Sequence, residues 1–195
     1  MSDEKLPTSI QMMKYAGNYV KLEIDKETNQ DKRWFDWGGF KASIDGYKGD
    51  DLIFDKFKST IIANRESTVS TMVEKIVKFL VEALSVVMDE GDIKALTSTI
   101  EATFTNLKEK SSNGFLDFNK PNDRNNSSWK YRIQFAFPNP DLPDYFFSLV
   151  STIKLEANVS SESEWWGLSS SSSRNFSTAI NAIKLVMAKD FKIPN

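Results

Sequence analysis

Between Trp129 and Phe137 the odd positions are all apolar (Trp129, Tyr131, Ile133, Phe135, Phe137), and the positions between them read Lys130, Arg132, Gln134 and Ala136. Strict period two over this length predicts a strand with one apolar and one largely polar face. After a break at Pro138, Pro140 and Pro143 the pattern resumes. Tyr145, Phe147, Leu149, Ile153 and Leu155 stand opposite Ser148, Thr152, Lys154 and Glu156, with Phe146 and Val150 blurring the second face. Strands in globular domains run about 5–6 residues, whereas one that crosses a bilayer takes roughly 9–11, alternating between lipid and lumen. Both runs reach the longer figure. Two readings follow: long strands whose apolar face helices cover, or the same strands able later to face lipid.

Upstream, Val69, Met72, Val73, Ile76, Val77, Leu80, Ala83, Leu84, Val87 and Met88 recur at 3.6-residue spacing, with Ser70, Glu74, Lys78, Glu82 and Ser85 on the other side. A helix over 68–88 would be about 30 Å long, the thickness of a bilayer core. Holding Glu74, Lys75, Lys78 and Glu82 in hydrocarbon would cost several kcal/mol, so the helix is expected to cover rather than span. Asp89-Glu90-Gly91-Asp92 reads as a stop and restart, with Gly91 suited to a left-handed cap and Asp92 to the next N-cap; it lacks the ligand order of a calcium loop. Ile93, Leu96, Ile100, Thr103, Phe104 and Leu107 predict a second helix over 92–109, making 68–109 a helical hairpin that Ser111-Ser112-Asn113-Gly114 ends.

The remaining segments carry weaker signals. Residues 1–16 are expected to be a flexible leader or a removable propeptide, followed by one domain over 17–191. Tyr19, Val20, Leu22 and Ile24 predict a first strand ending at Thr28-Asn29-Gln30. The aromatics of Trp34–Phe40 are expected in the core, and the Gly38-Gly39 pair lacks phosphate-loop spacing. Leu52, Ile53, Phe57, Ile61 and Ile62 suggest a short amphipathic helix from Asp51 to Ala63. Phe115, Leu116 and Phe118 suggest a short strand. Glu162–Leu168, with Trp165 and Trp166, is expected to be a third strand, Ser169–Ser173 a flexible join, and Ala179, Ile180, Ile183, Val186 and Met187 a terminal helix.

Composition narrows the function more than any motif does. The 195 residues suit one well-buried domain, and 40% hydrophobic with 14 Phe and 5 Trp is the make-up of a folded protein leaning towards strands. A formal net charge of −2 gives no attraction for nucleic acid or for an anionic membrane surface. Without a single Cys or His there is no Ser-His-Asp triad, no Cys-His nucleophile, no thiolate or imidazole metal site and no disulfide. No metal or other cofactor is expected. The acid pairs Asp141 with Asp144 and Glu162 with Glu164 read as turn and strand-edge carboxylates rather than as catalysts, so no enzyme is expected. The acidic start Met1-Ser2-Asp3-Glu4-Lys5 is not followed by an apolar core of signal-peptide length, nor is there an apolar run of spanning length. The expectation from these features is a protein made soluble.

Several pieces then fall into one order. Val69, Ser70 and Met72, the run Thr103-Phe104-Thr105-Asn106-Leu107, the strand residues Tyr131, Phe135, Ala136 and Asn139, and the step Ile153-Lys154 resemble the Cyt delta-endotoxins in sequence and spacing, with Trp165 and Trp166 at an aromatic cluster. The resemblance covers about residues 67–190, and the fungal cytolysin volvatoxin is similar. It implies a single α/β domain of the α+β type, a central mainly antiparallel sheet wrapped by helical hairpins. It also implies direct binding to membrane lipids, zwitterionic phospholipid above all, homo-oligomerisation on the membrane, and permeabilisation. In that family the long C-terminal strands are the favoured inserting elements, in agreement with the alternation above. The covering helices would then be carried by Val73, Ile76, Val77, Leu80, Leu84, Leu96, Ile100 and Phe104, and Trp165, Trp166, Trp129 and Tyr145 would suit the bilayer interface. Insertion of the helical hairpin itself, and a non-lytic carbohydrate- or protein-binding module, stay open as alternatives.

Overall fold

A computed structural model describes residues 6–26, 29, 31–85, 87–106, 117–119 and 126–193. The element order is α1 (Leu6–Gly17), β1 (Val20–Ile24), β2 (Asp31–Phe35), α2 (Trp37–Asp45), β3 (Leu52–Thr68), α3 (Val69–Lys78), a π-helical turn Phe79–Ala83, α4 (Glu90–Thr105), β4 (Asp117–Asn119), β5 (Ser127–Pro138), β6 (Tyr145–Ala157), α5 (Glu162–Trp166) and β7 (Ser173–Ala188). β1 and β2 pair alone, and the other five strands form one sheet in the order β3-β7-β6-β5-β4. The ends of the strands show the directions. The Ala188 N–H donates to the Asp51 carbonyl and the Lys189 N–H to the Asp144 carbonyl, so the end of β7 meets the starts of β3 and β6. At the other end the Asn175 N–H donates to the Asn158 side chain and the Asn175 side chain accepts from the Glu66 N–H. The sheet is therefore antiparallel, and the single α+β domain is as expected.

Four elements differ from the reading of the sequence. Residues 51–63 lie within the edge strand β3, and the terminal apolar stretch is the 16-residue strand β7. Ile180, Ile183 and Met187 satisfy a helical spacing as well as an extended one. β7 lies between β3 and β6, and Ala182, Ile183, Lys184 and Leu185 are all buried, so both of its faces are covered and the period-two signal is lost. Residues 162–166 form helix α5, because the Ser161 side chain accepts from the Glu164 N–H as an N-cap. From Leu6 the expected leader is helix α1, with Met12, Tyr15 and Ala16 buried. The starting residues 1–5, the helix end at 107–109, the loop 111–114 and the strand residues Phe115 and Leu116 lie outside the described residues.

The chain divides into two compact units, and β3, β5, β6 and β7 each contribute to both. In the first (1–57, 133–151, 182–195), Met12, Tyr15 and Ala16 of α1 join Phe40 and Ile44 of α2, Phe146 and Val150 of β6, and Ile183, Leu185 and Met187 of β7 in one apolar cluster. α2 starts at Asp36, whose side chain accepts from the Gly39 N–H at 2.8 Å. A Cβ at residue 39 would stand 2.5 Å from an Asp36 carboxylate oxygen, so the glycine that weakens the helix in principle permits its cap.

In the second unit (58–132, 152–181) the Thr68 side chain caps α3 by accepting from the Thr71 N–H at 3.1 Å, and Asp89, rather than Asp92, caps α4 by accepting from the Asp92 N–H at 2.7 Å. The first helix stops at Leu84, followed by Ser85 at φ 52, where the left-handed residue had been expected at Gly91. α3 and α4 pack on each other, and α4 on α5.

Candidate functional site

β5 and β6 are 12 and 13 residues long, and the side chains read as one apolar row divide into two sets. Trp129, Tyr131, Phe137, Leu149, Ile153 and Leu155 are buried, while Ile133, Phe135, Tyr145 and Phe147 are half-buried. β6 changes its buried side along its length. Phe146, Ser148 and Val150 are buried within the first unit. In the second, Ile153, Leu155 and Ala157 are buried and Thr152, Lys154 and Glu156 half-exposed. The positions that blurred the alternation, Phe146 and Val150, belong to the α1–α2 cluster. Between the strands, Asn139 accepts from the N–H groups of Asp141 and Leu142 at 3.1 and 3.3 Å, which sets the turn among the three prolines; Asp141 and Asp144 sit on it, exposed.

All eight residues expected to form the helical cover are buried: Val73, Ile76, Val77, Leu80 and Leu84 before the break, then Leu96, Ile100 and Phe104 on α4. Named contacts hold these helices to the strands of their unit. Thr103 Oγ1 and the Tyr131 hydroxyl of β5 are 2.8 Å apart, and the Phe104 ring meets Phe176 of β7 edge-on at 5.7 Å. The Val69 and Ser70 N–H groups donate to the Ser172 and Ser170 carbonyls, and the Ser170 hydroxyl donates to the Glu101 carboxylate. Phe176 was missed because β7 was read as a helix.

The two tryptophans of α5 separate. Trp165 is fully buried; its Nε1–H donates to Ser127 Oγ at 2.7 Å, and Ser127 in turn donates to the Val159 carbonyl at 2.7 Å. In this fold it is a core side chain joining α5 to the start of β5 and the end of β6, not a surface ring. Trp166 is 37% exposed. Trp129 is buried as well.

Among the described residues no group of three or more acidic, His or Cys side chains gathers as for a metal ion, and no helix is long and apolar enough to cross a membrane. What the arrangement supplies is two long strands of 12 and 13 residues whose second-unit side chains Trp129, Tyr131, Ile153 and Leu155 are buried, with α4 of that unit fastened to β5 at the Thr103–Tyr131 hydroxyl pair.

The sequence model described as Bacillus thuringiensis toxin matches residues 27–191. Among solved structures, the fold is similar to a delta-endotoxin, with a TM-score of 0.77 at 18% identity over 96% of this chain and 78% of that one. It is similar also to the activated Cyt2Ba monomer from Bacillus thuringiensis subsp. israelensis, with a TM-score of 0.78 at 17% identity over 98% of this chain and 96% of that one. No curated protein sequence matches.

Proposed function

The chain belongs to the Bacillus thuringiensis toxin family, as a Cyt-like delta-endotoxin, and from that premise we propose that it is a non-catalytic cytolysin that binds the lipid of a target-cell membrane, oligomerises there and permeabilises it. The observation that carries the reading is the pair of long adjacent strands β5 and β6, with Trp129, Tyr131, Ile153 and Leu155 buried in the unit that holds α3 and α4. Each strand exceeds the roughly 9–11 residues that cross hydrocarbon. Exchanging a helix face for lipid changes little in free energy, because the two are similarly apolar. The larger cost is strand edges with unpaired N–H and C=O groups, which closure or assembly satisfies inside lipid. Oligomerisation therefore accompanies insertion. In this mechanism α3 and α4 swing away, Trp129, Tyr131, Ile133, Phe135, Phe137, Tyr145, Phe147, Leu149, Ile153 and Leu155 take up lipid contact, and Lys130, Arg132, Lys154 and Glu156 face the lumen.

The test is dye release from phosphatidylcholine vesicles. Because the chain has no cysteine, Glu101→Cys with Ser170→Cys provides one site for a short thiol cross-linker that ties α4 to the loop before β7. Locked protein should leak little, and cleaving the link should restore leakage. Undiminished leakage while locked rejects helix release, and binding without leakage in either state rejects the cytolysin.

A further inference from the structure

The hairpin β1–β2 carries an apolar surface that the strands and helices above do not use. Pairing sets Val20 across from Phe35, Leu22 from Arg33 and Ile24 from Asp31 on one face, and Lys21 from Trp34 and Glu23 from Lys32 on the other. Phe35 anchors the first face to the core, with its ring 4.7 Å from Trp37 and 5.4 Å from Phe40. From there the row runs outward with rising exposure, Val20 at 43%, Leu22 at 61% and Ile24 at 63%. Trp34 is 41% exposed on the opposite face. An isolated two-stranded hairpin is marginal in water, so exposing large apolar side chains on both of its faces calls for a partner.

We infer that this hairpin is a membrane-docking finger that seats Val20, Leu22, Ile24 and Trp34 in the interfacial zone of a zwitterionic phospholipid bilayer. The inference rests on the membrane reading above and adds a site outside β5 and β6. Three observations select lipid. Apolar groups stand on both faces; one protein surface would cover a single face, whereas a bilayer interface surrounds the hairpin. The four residues expose about 400 Å², well below the roughly 800 Å² per partner of a stable protein interface. Charge is nearly balanced: Lys21, Lys26, Lys32 and Arg33 stand against Glu23, Asp25 and Asp31, and Lys32 lies 3.8 Å from Glu23 and 4.0 Å from Asp25. That balance gives little attraction to an anionic surface and suits a neutral headgroup layer. The aliphatic row is only about 13 Å long, so the hairpin seats in the interface and does not cross.

The test uses the full chain with Ile24→Cys carrying an environment-sensitive fluorophore, Ile133→Cys carrying the same label in a second sample, and phosphatidylcholine vesicles with a bilayer-confined quencher. The label at residue 24 should shift to the blue and be quenched before leakage begins. Leu22→Ser with Ile24→Ser should keep the circular dichroism and melting of the parent while weakening vesicle binding about tenfold or more. A label at residue 24 that stays in water while the label at residue 133 enters lipid overturns the finger and leaves the cytolysin standing. A shift that follows protein concentration without vesicles overturns it in favour of self-association. Quenching at residue 24 with no leakage upholds the finger and removes the cytolysin; no vesicle binding removes both.

Discussion

Thr103 Oγ1 stands 2.8 Å from the Tyr131 hydroxyl with both side chains buried, a polar fastening between α4 and β5 inside an otherwise apolar seam. Thr103 also donates to the Ile100 carbonyl at 2.6 Å, so its proton is committed and the tyrosine must be the donor across the seam. The two ends are therefore unequal. Tyr131→Phe leaves Thr103 satisfied by its own helix and should cost about 1 kcal/mol. Thr103→Val leaves the tyrosine hydroxyl buried without that acceptor and should cost more, roughly 1–3 kcal/mol. Denaturant midpoints should rank the variants in that order, and if α4 must leave β5, the lag before vesicle leakage should shorten in the same order.

The neighbouring tryptophans of α5 should behave oppositely. Trp165→Ala empties a fully buried site and removes the donor that Ser127 accepts from, which should cost about 3–5 kcal/mol and lower expression or melting before any effect on lipid is seen. Trp166→Ala should leave melting within about 0.5 kcal/mol and, if its ring seats at the interface, weaken vesicle binding. Melting curves read beside vesicle sedimentation separate the two.

This contrast shows what pattern reading reaches and where it stops. β5 from Trp129, β6 from Ile153 and the covering helices were legible because each has one mainly buried side there, so the repeat of apolar residues states the element and its face together. β7 has two buried sides at Ala182–Leu185, which removes the repeat, and β3 is an edge strand whose Ile53 and Ile61 are exposed, so its apolar positions report no face. The role of Trp165 was out of reach for another reason. Its partner Ser127 is 38 residues away, and no local spacing encodes that meeting. Likewise the switch of buried side along β6 was visible only as a blur at Phe146 and Val150, since the α1–α2 cluster that causes it comes from the far end of the chain.

Helix α1 should prove integral to the fold. It places Met12, Tyr15 and Ala16 in the cluster with Phe40 and Phe146, and the Thr8 hydroxyl donates to the Lys189 carbonyl. Losing a buried Met and a buried Tyr costs about 2–5 and 3–5 kcal/mol, a sum comparable with the roughly 5–15 kcal/mol that holds a domain folded. A chain starting at residue 18 should lose cooperative unfolding in urea. A sharp transition near that of the parent would restore the view of these residues as a dispensable leader.

Alkaline stability should depend on Tyr47. Its hydroxyl donates to the Asp51 carboxylate at 2.5 Å, and chiefly through that bond its pKa is pushed up from 10.0 to about 12. The neutral form is the one the fold favours, so the contribution is complete below pH 10, declines as pH rises above it, and is gone once the folded group itself ionises near 12. Tyr47→Phe should flatten this part of the stability curve. Gly49→Ala should act similarly without touching the phenol, because a Cβ there would stand 2.5 Å from the Asp51 carboxylate and 2.7 Å from the Tyr47 oxygen, forcing the pair apart. Ultraviolet titration of the variant against the parent should then show one tyrosine returning towards its ordinary value.

Lys184 tests whether a charge in the sheet restrains the strand that is to leave it. It is 8% exposed on β7, its Nζ is 2.9 Å from the Asp55 carboxylate of β3, and the same Nζ lies 4.1 Å above the Phe147 ring of β6. A buried ammonium deprived of its counter-charge is costly, but Asp55 is 38% exposed and water screens part of the loss, so Asp55→Asn should cost about 1–3 kcal/mol. Lys184→Met removes the charge along with its need for a partner and should be near neutral, and adding it to Asp55→Asn should recover most of that loss. The ring contact is worth about 0.5–2 kcal/mol and exists only while Phe147 stays in the soluble arrangement. If β6 inserts, Lys184→Met should therefore shorten the leakage lag even though melting hardly changes. Leakage kinetics measured beside melting decide the point, since a lag that follows stability alone would show that the cation does not hold Phe147 back.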